Sequence, residues 1–130
     1  MKQVFTLLLA LFVVSAVTAQ QQQQQKKPDD VVKFQSETIN FGKLKLGSPV
    51  TSTFTFTNIG KEDLLIENVT PGCGCTKSDF TKDVIKPGKT GTISATYNAA
   101  TPGNFSKSIY VKFAGIDEQK VITIIGVVEQ

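Results

Sequence analysis

The strongest constraint on the fold is strict alternation in the stretch 103–113. There Phe105, Ile109, Val111 and Phe113 stand against Ser106, Ser108, Tyr110 and Lys112. Side chains of an extended strand point alternately to opposite faces, so this spacing places an apolar row on a core and a polar row in water. Lys107 breaks the apolar row near its start. The same period recurs upstream in Val50 to Asn58, where Phe54 and Phe56 alternate with Thr53, Thr55 and Thr57. A third such run is Gly91 to Asn98, with Ile93, Ala95 and Tyr97 on a common face.

Between these runs the chain is punctuated by turn formers. Asn58-Ile59-Gly60-Lys61, Pro87-Gly88, Thr101-Pro102-Gly103-Asn104 and Gly115 to Gln119 all read as turns, Pro87 suiting a first corner and Gly88 a second corner of positive φ. Lys120 to Val128 is apolar at both parities, which suits a central strand or one covered on both sides. Val31 to Phe34, Ile39 to Phe41, Lys43 to Leu46 and Leu64 to Val69 complete the extended segments, and Thr70 to Ser78 reads as a loop by composition. Short strands at this spacing, with no helical period between them, predict a single all-β antiparallel sandwich of seven to eight strands. Phe54, Phe56, Tyr97, Phe105 and Phe113 are its expected core, with Tyr110 on the polar side.

The N-terminus predicts the compartment. Lys2 precedes an apolar run from Phe5 to Val17, and Val17-Thr18-Ala19 offers small residues for cleavage before Gln20. Residues 1–19 therefore read as a signal peptide, cleaved near Ala19. The run is shorter than the roughly 20 residues a membrane-spanning helix needs. The mature chain is expected in the periplasm or secreted, without a membrane span. Residues 20–30, a glutamine run ending in Lys26-Lys27-Pro28-Asp29-Asp30, cannot supply a core and read as a disordered spacer. Residues 31–130 are the folded domain, and about 110 residues after cleavage suffice for one domain only.

Composition excludes several functions. The formal net charge is +3, all basic residues are Lys, and the lysines are scattered. Nucleic-acid recognition relies heavily on the arginine fork, so none is expected. With no His, and with its single Met at position 1, the chain lacks an imidazole base and the usual ligands of a zinc site. No constellation of Ser, Lys and carboxylate takes its place, so the reading is of a non-enzymatic protein without a cofactor.

What chemistry there is lies in Cys73-Gly74-Cys75-Thr76, whose two cysteines are the only ones in the chain. Their spacing permits a disulfide, with Gly74 supplying backbone freedom for so small a ring. A bridge closing almost no chain contributes little loop entropy, and a strained small ring is easily reduced. A labile redox pair is thus a better reading than a stabilising staple. Lys77 is a candidate for favouring a thiolate. As free thiolates, Cys73 and Cys75 are weak candidates for Cu(I). Asp79 and Asp83 nearby read as solvated charges.

Taken in order, Phe54-Thr55-Phe56-Thr57-Asn58-Ile59-Gly60, Leu64-Leu65-Ile66, Cys73-Gly74-Cys75-Thr76, Pro87-Gly88, Gly91-Thr92-Ile93, Gly103-Asn104-Phe105 and Ile124-Ile125-Gly126-Val127-Val128 resemble a bacterial family of exported proteins of unknown function whose hallmark is Cys-Gly-Cys-Thr. The resemblance spans roughly residues 34–128. Gly72 stands where that family commonly has Ser, and Phe80 where Trp or Tyr is frequent. The resemblance implies an immunoglobulin-like fold of the hydin and major-sperm-protein type and an export route, and carries no activity. Two functional readings follow. The first is an envelope binding or scaffold module that docks another envelope protein, with Cys73 and Cys75 as redox or disulfide residues and Gly74 and Thr76 as loop support. The second is a thiol–disulfide exchange participant using the same pair; Cu(I) binding is a further alternative.

Overall fold

Pairing Phe54 and Phe56 on one strand face and Phe105 to Phe113 on another gives two apolar surfaces that can be removed from water only against each other. The computed structural model, which describes residues 25–130, builds this sandwich from eight strands: β1 (Val32–Phe34), β2 (Thr38–Lys45), β3 (Val50–Asn58), β4 (Ile66–Pro71), β5 (Thr76–Phe80), β6 (Thr90–Tyr97), β7 (Gly103–Phe113) and β8 (Lys120–Glu129). One sheet has the order β1-β3-β6-β5 and the other β2-β8-β7-β4, the immunoglobulin-like arrangement. The expected signal peptide and residues 20–24 of the expected spacer lie outside the described residues.

The five aromatics expected in the core are all buried. Phe56 of the first sheet meets Phe113 of the second edge-on, ring centroids 5.7 Å apart, and Phe34 leans on Phe56 at 5.2 Å. Each sheet also seats one Phe over a glycine directly across the ladder. Phe56 faces Gly91 and Phe105 faces Gly126. A Cβ added at Gly91 falls 2.5 Å from the Phe56 ring, and one at Gly126 falls 2.7 Å from that of Phe105. The missing side chains are the space the rings occupy.

The turn at Lys86-Pro87-Gly88-Lys89 closes with Lys89 N–H donating to Lys86 C=O at 2.9 Å, and Gly88 takes φ 78°, as its sequence predicts. Other boundaries differ from the sequence reading. Ile39–Phe41 and Lys43–Leu46 are not two strands but one, with a register shift between Asn40 and Lys43 where Gly42 takes φ 71°. That strand runs parallel to β8, whereas all other ladders are antiparallel, because the chain changes sheets between β1 and β2 rather than turning back in a hairpin. Strand β8 is central in its sheet, as expected, yet Val121 and Val127 on its outer face are exposed.

Regular structure among the described residues also begins before Val31. Pro28–Asp30 forms a 3₁₀ turn with Pro28 buried. Its Asp29, together with Glu37 from the bend between β1 and β2, accepts hydrogen bonds from the Lys120 ammonium, which is nearly buried. Burial alone pulls the Lys120 pKa down, but hydrogen bonds to Asp29 and Glu37, and their charges, outweigh it and leave the value raised. The clasp's stability is therefore fully present below the ordinary lysine pKa and is lost as pH rises through the raised folded value. Lys120→Met should cost roughly 1–2 kcal/mol near neutrality, a difference that narrows above the ordinary lysine range. Urea melts of both proteins at pH 8 and in strong alkali check this. An unchanging difference excludes the ion cluster as its origin.

Candidate functional site

Strands β4 and β5 lie at the edges of different sheets, and the short segment 72–75 carries the chain from one sheet to the other. The loop predicted over Thr70 to Ser78 is thus much shorter than its composition suggests. Thr70 and Pro71 pair with Tyr110 and Ile109, while Thr76 to Phe80 pair with Tyr97 to Ile93. The strand over Thr76-Lys77-Ser78-Asp79-Phe80 is hidden in the sequence because an edge strand with one wet face needs few apolar residues.

The segment is pinned at both ends. Gly72 N–H donates to Ser108 C=O on β7 at 2.9 Å, and Asn98 N–H, just past β6, donates to Cys75 C=O at 3.0 Å. A turn closes between them through Thr76 N–H and Cys73 C=O, 3.4 Å apart. With the backbone so held, the Cα atoms of Cys73 and Cys75 stand 5.3 Å apart and their sulfurs form a disulfide. A Cβ at Gly72 would lie 3.1 Å from the Ser108 carbonyl oxygen, a tight contact for any larger residue there.

Thr76 is the first residue of β5 and is buried beneath the bridge. Its hydroxyl oxygen is 3.8 Å from both Cys73 Sγ and Cys75 Sγ. Disulfide sulfurs carry no proton, so the hydroxyl is the donor to either one. The expected support role of Gly74 takes a different form. Its φ is not in the left-handed region, and a Cβ there meets nothing within 4 Å. The residue leaves the outer face of the bridge open. Gly74→Ala should accordingly change stability by no more than about 0.5 kcal/mol, as a thermal melt would show; a larger loss would mean the ring does depend on glycine.

Beside the bridge lies a cleft of about 280 Å³, lined by Gly74, Cys75, Tyr97, Asn98, Phe105 and Lys107 among others. Cys73 is not part of its lining. Tyr97 and Phe105 form its stacked floor, ring centroids 4.0 Å apart. Its outer wall follows Asn98 to Pro102, where Ala99 is held at φ 52° and its carbonyl accepts from Gly47 N–H at 2.8 Å. Lys107 is the one charged residue in the lining. It occupies an inward register position between Phe105 and Ile109, so the break in the apolar row of β7 was the sequence signal for this cleft. Lys77, the cation expected to act on the cysteines, follows buried Thr76 on β5 and is exposed on the opposite face of that strand.

Asp79 and Asp83 are exposed, Asp79 pairing with Lys82 at 3.6 Å. The Lys82 ammonium lies 3.2 Å over the Phe80 ring. Among the described residues no three His, Cys, Asp or Glu side chains gather as a metal site. Sulfurs joined to each other are not the thiolates Cu(I) requires, so copper binding at Cys73 and Cys75 would follow reduction. No helix among the described residues is long and apolar enough to cross a membrane.

Comparison with known proteins yields a family and a fold. The family described as "Protein of unknown function (DUF1573)" matches residues 32–128. No match to a curated protein is found. Among solved structures, the chain is similar to a protein of unknown function from Porphyromonas gingivalis W83, at 16% identity and a TM-score of 0.64 over 75% of this chain and 46% of that one. It is also similar to a PapD-like domain of human CEP192, at 13% identity and TM-score 0.59 over 77% and 86%. A third similar structure is WR4, an MSP family member of Caenorhabditis elegans, at 11% identity and TM-score 0.50 over 76% and 98%. The chain spans about half the length of the Porphyromonas protein. At these identities the likeness is one of fold.

Proposed function

The chain belongs to the DUF1573 family of proteins of unknown function, and from that premise we propose that it is an exported, non-catalytic binding module of the bacterial envelope that docks another envelope protein through the cysteine end of its sandwich. The observation that carries this reading is the placement of the disulfide. It sits at a rigid crossing between two edge strands, outward-open at Gly74 and beside a preformed cleft. A recognition surface benefits from such preorganisation, because little loop freedom is lost on binding. Among the described residues neither β4 nor β5 pairs with a strand on its outer side, and such an edge suits a partner strand. The absence of His from the sequence and the solvated state of Asp79 and Asp83 support the non-catalytic part. The signal-like residues 1–19 support export, with the domain delivered to the periplasm or beyond.

A photo-crosslinking residue placed at position 74, where the fold leaves room, tests the docking reading in intact cells. The expected result is one discrete protein adduct, retained when Cys73 and Cys75 are both replaced by Ser, and absent when the crosslinker is moved to exposed Glu118 in the turn between β7 and β8, at the opposite end of the sandwich. Equal labelling at both positions, or none at 74, rejects it.

A further inference from the structure

Three facts about the bridge are asymmetric or shared in a way that docking alone does not require. Cys75 lines the cleft and Cys73 does not; the only charge in the lining is the cation of Lys107; and one buried hydroxyl, Thr76, reaches both sulfurs at 3.8 Å. A disulfide is attacked in line, from the side of one sulfur opposite the other, and both cysteines are half-buried, so a thiolate held in the cleft is placed beside the one that borders it. A thiolate entering this cleft meets Cys75 first. We propose that Cys73–Cys75 is a thiol–disulfide exchange site, attacked at Cys75 through this cleft by a carboxylate-bearing thiol, with Cys73 as the leaving sulfur.

The electrons balance as follows. The incoming thiolate uses a lone pair to form a bond to Cys75 Sγ, the Cys73–Cys75 bond breaks, and its electron pair departs on Cys73 Sγ as a thiolate. The Thr76 hydroxyl donates its proton to that thiolate as a hydrogen bond, which lowers the leaving sulfur's basicity and speeds its departure. A second thiolate of the same class then attacks the incoming sulfur of the mixed disulfide, giving the small disulfide and releasing Cys75 as a thiolate. Two thiols are oxidised to one disulfide, and the bridge is reduced to two thiols that take up their protons. Lys107 acts before any bond changes, by holding the carboxylate of the thiol in the cleft. Thr76 is a positioning residue for both half-reactions, because it faces either sulfur.

This inference stands apart from the docking reading, since its test needs no protein partner. The purified chain is mixed with glutathione, quenched early in acid, and the mixed disulfide mapped by peptide mass spectrometry. The adduct is expected on Cys75. Rates are then compared for glutathione, a cysteine peptide flanked by glutamates, and cysteamine, at equal thiolate concentration. Lys107→Gln should slow both carboxylate-bearing thiols about threefold and leave cysteamine unchanged. Whichever acidic thiol reacts faster names the source, small molecule or polypeptide, and either supports the site. Thr76→Val should slow all three about fivefold, with Thr76→Ser restoring the rate. In the Cys75→Ser background, Thr76→Val should also raise the pKa of the Cys73 thiol, which a merely structural Thr76 leaves unmoved. Adducts on Cys73, equal slowing of cysteamine by Lys107→Gln, or an unaltered rate in a folded Thr76→Val protein overturn the proposal. If Thr76→Val fails to fold, adduct position and the Lys107→Gln comparison still decide it.

Discussion

Asn58→Leu is expected to lose about 3 kcal/mol of stability and to lower the thermal midpoint by more than about 10 °C for a domain of this size. Asn58 ends β3 and is almost completely buried, the most deeply buried polar residue among those described. Its amide nitrogen donates to the carbonyls of Glu62 and Ile85, both at 2.8 Å, and its amide oxygen accepts from Gly60 N–H at 2.9 Å. One side chain thus bonds three backbone groups in the links from β3 to β4 and from β5 to β6, reinforcing the isolated bridge between Leu64 and Ile85, whose carbonyl also accepts from Leu64 N–H at 2.9 Å. Leu keeps the branching but fits two bulkier methyls where the amide stood, takes their partner from Glu62 C=O and Gly60 N–H, and strips the buried Ile85 carbonyl of one of its two donors, which together cost more than a typical hydrogen bond is worth. Asn58→Asp should be no better, because an oxygen then faces two carbonyl oxygens. Asn68→Ala is the control: its bond to Thr70 Oγ1 is exposed, and its loss should stay within about 0.5 kcal/mol. Urea melts of the three variants are the measurement. A loss below 1 kcal/mol for Asn58→Leu would show that water reaches the site.

The contrast between Asn58 and the flanking phenylalanines shows what was legible in the sequence. Phe54 and Phe56 declared themselves by alternation, as did Phe105, Phe113 and the turn at Pro87-Gly88, since period and turn chemistry are local properties of the chain. Asn58 looked like an ordinary turn residue, because its three partners come together only in the folded protein. The same holds for the candidate site. Cys73, Cys75 and Thr76 were visible as a motif, but the cleft is built from β6, β7 and the segment 98–102, far apart in sequence from the cysteines. Lys107 was visible only as a flaw in a pattern. Lys120 gave no signal at all, because its partners Asp29 and Glu37 approach from the other end of the domain. Strand β5 escaped notice for a different reason: its polar composition reflects its position at a sheet edge, which is a property of the topology rather than of the strand.

Gly126→Ala is expected to cost about 2–3 kcal/mol and to disturb the cleft as well, although residue 126 is remote in sequence from the cysteines. A Cβ at position 126 would stand 2.7 and 2.8 Å from the Phe105 ring and 2.9 Å from the Gly42 carbonyl oxygen. The carbonyl belongs to the shifted register between β2 and β8, so it cannot retreat without loosening that ladder. The ring is no freer, held between Tyr97 at 4.0 Å and Phe41 at 6.2 Å. Phe105 and its stacked partner Tyr97 both line the cleft beside Cys75, so a shift of the ring that relieves the clash alters the cleft's shape. A double-mutant cycle separates this strain from other losses. Phe105→Leu alone removes buried ring contacts, but in the Gly126→Ala background it also removes the clash, so the pair should be more stable than the sum of the two changes predicts, by about 1 kcal/mol or more. Urea melts of the four proteins measure that coupling. Strict additivity would show that the ring and the glycine are not packed against one another, and the link from the second sheet's interior to the cleft would fall with it.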